Sequence, residues 1–172
     1  MRAPLRKMID AAVFCAVIAA CAQLILPMPA GVPITLQTLA VALCGYCIGW
    51  KYGLAAVGTY LLLGGIGLPV FSGFGGGIGW LLGPSGGFLI GFLAVALGCG
   101  LPMKKRWLSV LMGMASMVLC HLLGAAWYAC TANVSFGAAA LAVSLPYLGK
   151  DLLCVWLAEL IANKIGFFKK RY

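Results

Sequence analysis

The feature that most limits what this chain can fold into is how little charge interrupts its apolar stretches. Segments 8–26, 34–50, 52–63, 86–101, 107–128 and 147–165 are dominated by aliphatic, aromatic and small residues. Their only charged side chains are Asp10, Lys150, Asp151, Glu159 and Lys164. A helix needs about 20 largely apolar residues to cross a bilayer, and five of the six segments approach that length. The third is short, and the glycine-rich stretch 64–79 is expected to complete its crossing as irregular or broken helix. With 64% hydrophobic and 9% charged residues over 172 positions, the chain lies outside the range of soluble domains. The expectation is an all-α integral membrane protein, a single domain over residues 1–172, with six transmembrane helices.

Positive charge orients this layout, because Lys and Arg collect in cytoplasmic loops. Arg2, Arg6 and Lys7 precede the first segment, Lys51 follows the second, Lys104, Lys105 and Arg106 follow the fourth, and Lys164, Lys169, Lys170 and Arg171 close the chain. The intervening loops 27–33, 64–86 and 129–146 hold no Lys or Arg. Both termini are therefore expected in the cytoplasm, in a multi-pass protein of the bacterial inner membrane. The basic start and apolar run 11–26 also resemble a secretory signal. The run is long enough to span, has no convincing small-residue cleavage site and precedes further spans, so it reads as a retained helix. The net charge of +9 is spread over short clusters that meet anionic lipid headgroups, and no nucleic-acid partner is expected.

Seven of the eight cysteines, Cys15, Cys21, Cys44, Cys47, Cys99, Cys120 and Cys154, fall inside apolar segments, where small polarizable residues pack well. Cys130 alone is expected on an oxidising side. Cys44 and Cys47 form a CxxC, but no second pair or nearby His completes a metal set. One His and three acids do not assemble a nucleophile–base set. There is no GxGxxG and no Walker sequence. The chain is read as neither an enzyme nor a nucleotide binder, with no metal and no cofactor.

Polar groups within spans mark candidate sites, since an ionised group in lipid costs several kcal/mol unless paired, hydrated or occupied by a ligand. Lys150 is the one basic residue near the external end of a span, and Asp151 stands beside it; a structural ion pair or a snorkelling Lys is the alternative. Glu159 lies two turns further on. His121 lies mid-span without an acidic neighbour in sequence and reads as a hydrogen-bonded core residue. The stretch 64–79 and the following GPSGG let backbone approach a ligand closely, and irregular backbone at membrane depth belongs against a cavity; close packing through small residues is the competing use. Thr35, Gln37 and Thr38 bring neutral hydrogen-bonding groups to the start of the second span, where Thr35 also suits a helix cap. Ala12, Ala16 and Ala20 form a small-residue ladder that lets another helix approach, from a partner or from this chain. Trp127 and Tyr128 suit an aromatic belt at the external end of the fifth span.

The runs GVPITLQTLAVALCG, residues 31–45, and GLPVFSGFGGGIGWLLGPSGGFLIGF, residues 67–92, resemble the BioY family, the biotin-specific S components of energy-coupling factor (ECF) transporters. The similarity extends over nearly the whole chain. It implies a six-helix S-component bundle with a pocket near the outer face, capped by the loop between helices 1 and 2. It also implies partners: a transmembrane coupling subunit that docks on Ala12, Ala16 and Ala20, and two cytoplasmic ATPases. The family's helix 6 carries Asp-x-x-Lys as a biotin-contacting pair. Asp151 matches the Asp, whereas Cys154 occupies the Lys position. Lys150 stands four positions earlier, about 40° around the helix and one turn lower, which leaves its equivalence open.

Biotin's chemistry then suggests roles. Asp151 accepts a ureido N–H, Lys150 pairs the carboxylate or the Asp, and Thr35 and Gln37 add hydrogen bonds. Backbone around Gly73, Gly75 and Gly76 meets polar atoms, while Phe71, Phe74, Trp80 and Tyr128 pack the bicycle. The alternatives are an S component for thiamine or riboflavin, or a stand-alone facilitator.

Overall fold

A computed structural model describes residues 3–28 and 31–165. Arg2, Lys169, Lys170 and Arg171, assigned above to the cytoplasmic side, and residues 29–30 of the first loop lie outside the described residues. In chain order come α1 (Ala3–Ala22), β1 (Ile25–Leu26), β2 (Ile34–Thr35), α2 (Gln37–Gly65), a 3-10 turn (Ser72–Phe74), α3 (Ile78–Leu82), α4 (Gly86–Gly100), α5 (Arg106–Ala132), α6 (Phe136–Val143) and α7 (Leu145–Lys164).

α2 is folded back on itself. Gly49 adopts φ 85° and ψ 166° inside the helix, a conformation open to glycine and strained for residues with a Cβ. A Cβ on Gly53 would lie 3.5 Å from Gly45 Cα, although eight residues of straight helix span about 12 Å. Gln37 and Tyr60 also meet, with Gln37 Nε2 donating to the Tyr60 hydroxyl at 2.8 Å. Residues 37–48 and 50–65 are thus the two arms of a helical hairpin. Its bend, at Gly49, falls one residue before the end of the second apolar segment, 34–50.

α4 packs against this hairpin and against α5, and its glycines make both contacts close. A Cβ on Gly100 would stand 2.4 Å from the Trp50 backbone, while one on Gly91 would meet Cys120 Sγ at 2.6 Å and one on Gly98 would meet Ser116 Cβ at 2.5 Å. Small residues bring backbones together where lipid supplies no hydrophobic drive between helices. The core that these helices share with α7 contains Val41, Tyr46, Val57, Tyr60, Val95, Met117 and Val155.

α1 divides cleanly into two faces. Ala11, Cys15, Ile18 and Ala22 are buried at helical spacing, whereas Ala12, Ala16 and Ala20 are exposed beside Met8, Val13 and Val17. The ladder therefore does not serve packing within this chain. Helix 1 also stops at Ala22, short of residue 26, because Ile25–Leu26 pairs antiparallel with Ile34–Thr35.

Large apolar side chains cover the exterior, among them Leu62, Leu141 and Trp107. α5, with 27 residues and a mean hydropathy of 1.9, is long and apolar enough to cross a membrane; α2 passes by length, and α6 with α7 pass as a pair bent by 53°. The loop expected over 129–146 is largely helical. α5 continues to Ala132, and Ser135 caps α6 by accepting from the Ala138 N–H. At the other end of α7, Arg106 donates to both oxygens of the fully buried Glu159 at 2.6 and 2.7 Å, joining the start of α5 to α7.

Candidate functional site

A pocket lies between the β1–β2 loop and α2, α4, α5 and α7. Phe88, Leu89 and Phe92 of α4 and Met117 of α5 line it with apolar surface, and Val32, Pro33 and Thr35 stand over it from the loop. α6 contributes Val143, and the glycine-rich segment contributes Ser72.

The polar floor converges on Asp151, which is 5% exposed. Thr38 donates its hydroxyl to Oδ1 at 2.7 Å, and the Lys150 ammonium contacts the same oxygen. His121 Nε2 lies 3.1 Å from Oδ2. An ionised carboxylate offers about four acceptor positions. Oδ1 thus carries two donors, while Oδ2 carries one and retains an open position. Three elements build this cluster: α2 supplies Thr38, α5 supplies His121, and the second turn of α7 supplies Lys150 and Asp151. The long Lys150 stem lets its amine also donate to Thr35 O at 2.8 Å and to Thr38 Oγ1 at 3.3 Å. Tyr147, one turn before Asp151, donates its hydroxyl to Val32 O at 2.6 Å. α7 therefore anchors the cap loop at two points.

Of the residues anticipated from sequence, Thr35, Gln37, Lys150 and Asp151 line the pocket together. Gln37 spends its amide on Tyr60. Phe71, Gly73, Phe74, Gly75, Gly76, Trp80 and Tyr128 stand outside the lining. Phe71 is fully buried, edge-on to Tyr60 with ring centroids 5.4 Å apart. Phe74 is 73% exposed. Trp80 lies against Gly75, and the Leu68 carbonyl backs Gly76.

Much of this segment's backbone is engaged within the chain. The Phe71 N–H donates to Gly75 O, the Gly77 N–H to Gly64 O, and the Phe74 N–H to the Gln23 side-chain carbonyl. The Gln23 amide in turn donates to the carbonyls of Ala19, Val70 and Phe71, tying the glycine-rich turn to the end of α1.

Tyr147 is a site residue that sequence reasoning passed over, Thr38 appeared there only as a neutral neighbour, and His121, read there as a hydrogen-bonded core residue, is buried and hydrogen-bonded but also lines the pocket. The signal for His121 was present, since it is the only histidine and sits inside an apolar segment, where a titratable group is functional by default. Its partner lies 30 positions away, and no spacing rule connects them. Cys154 is buried but does not line the pocket.

An apolar-surfaced helical bundle with ionisable groups gathered on the wall of a small pocket defines a class: a multi-pass membrane protein built to hold a small molecule. The sequence model of the BioY family matches residues 1–170, and the chain belongs to that family. It is 37% identical over 166 residues to "Biotin transporter BioY" of Thermotoga maritima, covering 94% of this chain and 96% of the relative. It is 38% identical over 135 residues to "Probable biotin transporter BioY" of Pyrococcus horikoshii, covering 78% and 80%. Among solved structures, the S-component for biotin from an ECF-type ABC transporter matches with a TM-score of 0.85 and 26% identity, over 94% of this chain and 91% of that one.

Proposed function

We propose that this chain is the biotin-capturing subunit of an ATP-driven ECF-type importer. The observation that carries the reading is the Asp151 carboxylate, which keeps an open acceptor position at Oδ2 on the wall of an otherwise largely apolar pocket. A ureido N–H donates to that position. Thr38, His121 and Lys150 hold the carboxylate aimed, so recognition needs little rearrangement. Lys150 neutralises Asp151 from the position before it in sequence, a role that does not require a Lys at Cys154. Phe88, Phe92 and Met117 take the bicycle and tail, and a few convergent polar groups within apolar walls are how small-molecule sites set orientation. Phe71, packed on Tyr60, and Trp80, packed on Gly75, buttress the turn that brings Ser72 to the pocket wall.

In this reading the chain crosses the bacterial plasma membrane six times with both termini inside, counting the arms of α2 separately. The exposed Ala12, Ala16 and Ala20 face of α1 docks a transmembrane coupling subunit, and two cytoplasmic ATPases drive the cycle. The purified chain is expected to bind biotin in a calorimetric panel with thiamine and riboflavin. Vesicles holding it alone are expected to bind biotin without concentrating it. Preference for another vitamin would overturn the ligand, and concentrative uptake by the chain alone would overturn the division of labour.

A further inference from the structure

Within the pocket, His121 has one ring nitrogen on Asp151 and the other, Nδ1, buried without a hydrogen-bond partner. It is the one buried side-chain nitrogen or oxygen so placed among the described residues. Its side chain is 5% exposed. A buried polar atom left unpaired costs about 1–3 kcal/mol, so such an atom on a pocket wall signals a partner that arrives with the ligand. The tautomer follows from the neighbour, because Nε2 facing a carboxylate oxygen carries the proton. In a neutral imidazole that leaves Nδ1 a bare acceptor. Phe88 holds the ring edge-on at 5.6 Å between centroids, and Ser144 Oγ donates to the His121 carbonyl, so both ring and backbone are fixed.

We propose that His121 is a second recognition residue, whose Nδ1 accepts a hydrogen bond from an N–H of the captured molecule. The inference rests on the biotin reading and adds a contact to it. A ligand with two N–H donors, such as a cyclic urea, satisfies Asp151 Oδ2 and His121 Nδ1 separately; a ligand with one leaves a buried acceptor empty.

The test is calorimetric titration of the full chain in lipid nanodiscs with biotin. His121→Gln keeps an amide with the reach of Nε2 toward Asp151 but removes Nδ1, and it is expected to bind about tenfold more weakly. Wild-type affinity in that variant would mean that His121 only positions Asp151, and would overturn the proposal. A measurement free of variant folding uses the wild-type chain with the two mono-N-methyl ureido derivatives of biotin. Both are expected to bind at least about tenfold more weakly than biotin, since each loses one of the two N–H donors, and undiminished binding of either would overturn the pairing of one N–H with each acceptor. With the derivative that lacks the N–H facing Nδ1, wild type and His121→Gln are expected to bind alike; an equal penalty from the variant with both derivatives would overturn the contact. Failure of the wild-type chain to bind biotin is a different result, which removes the biotin reading and this inference with it.

Discussion

Replacing Asp151 with Asn tests the site most directly, because the surroundings of this carboxylate are specified on every side. Oδ1 receives the Thr38 hydroxyl and the Lys150 ammonium, and Oδ2 receives His121 Nε2 and faces the open position. An amide of the same shape has one oxygen and one NH2, so whichever way it is turned, a donor meets a donor. With the oxygen toward Thr38 and Lys150, the NH2 confronts His121 and the ligand N–H. With the oxygen toward the ligand, the NH2 confronts Thr38 and Lys150. A hydrogen bond to a charged group contributes about 1.5–3 kcal/mol and one to a neutral group about 0.5–1.5 kcal/mol. The substitution is therefore expected to weaken biotin binding by about 1.4 kcal/mol, or tenfold, at the least. The assay is calorimetric titration of the purified variant, with gel filtration and thermal unfolding to establish that it is folded. A folded Asp151→Asn chain that titrates like the wild type would refute the reasoning and remove Asp151 from the site.

Arg106→Ala is expected to strand the fully buried Glu159 carboxylate and to destabilise the fold by about 3 kcal/mol, at the low end for a broken buried pair because the guanidinium side is half exposed; thermal unfolding reads this, and biotin affinity of the folded fraction should be retained. Gly100→Ala puts a Cβ 2.4 Å from the Trp50 backbone, which has no flexible end to yield, and is expected to cost about 1–3 kcal/mol. Gly79→Ala, with nothing within 4 Å of the new Cβ, is the matched control and should melt like the wild type. Ala16→Trp on the exposed face of α1 should leave biotin binding by the purified chain unchanged while abolishing co-purification with a coupling subunit; undiminished co-purification would remove that face from the interface.

The legible part of the fold was the part governed by transfer of side chains between water and lipid. Scarcity of charge marked the apolar segments, and the second and third met at a bend now seen at Gly49. Glycines over 64–79 foretold irregular backbone, and Asp151 stood out because an acid in an apolar helix demands a reason. Helix ends were less legible. β1–β2 pairing stopped helix 1 at Ala22, and α6 occupied a region read as loop, since its apolar residues carry no length cue of their own. Residues chosen from the glycine-rich run were placed by type rather than position. Phe71 turned to Tyr60 and Phe74 to the surface, both consequences of a turn held by Gln23 from another element.

What the sequence by itself determined is the solvent of the chain and the presence of two costly acids in its last apolar segment, Asp151 and Glu159, because hydropathy and charge are properties of residues one at a time. Only the tertiary structure decided that Thr38, His121 and Lys150 would answer Asp151, that Arg106 would answer Glu159, and that Ala12, Ala16 and Ala20 would face outward. All of these depend on which helices pack together, a matter of contacts between residues far apart along the chain, such as the close approaches at Gly91, Gly98 and Gly100 that seat α4 between α2 and α5.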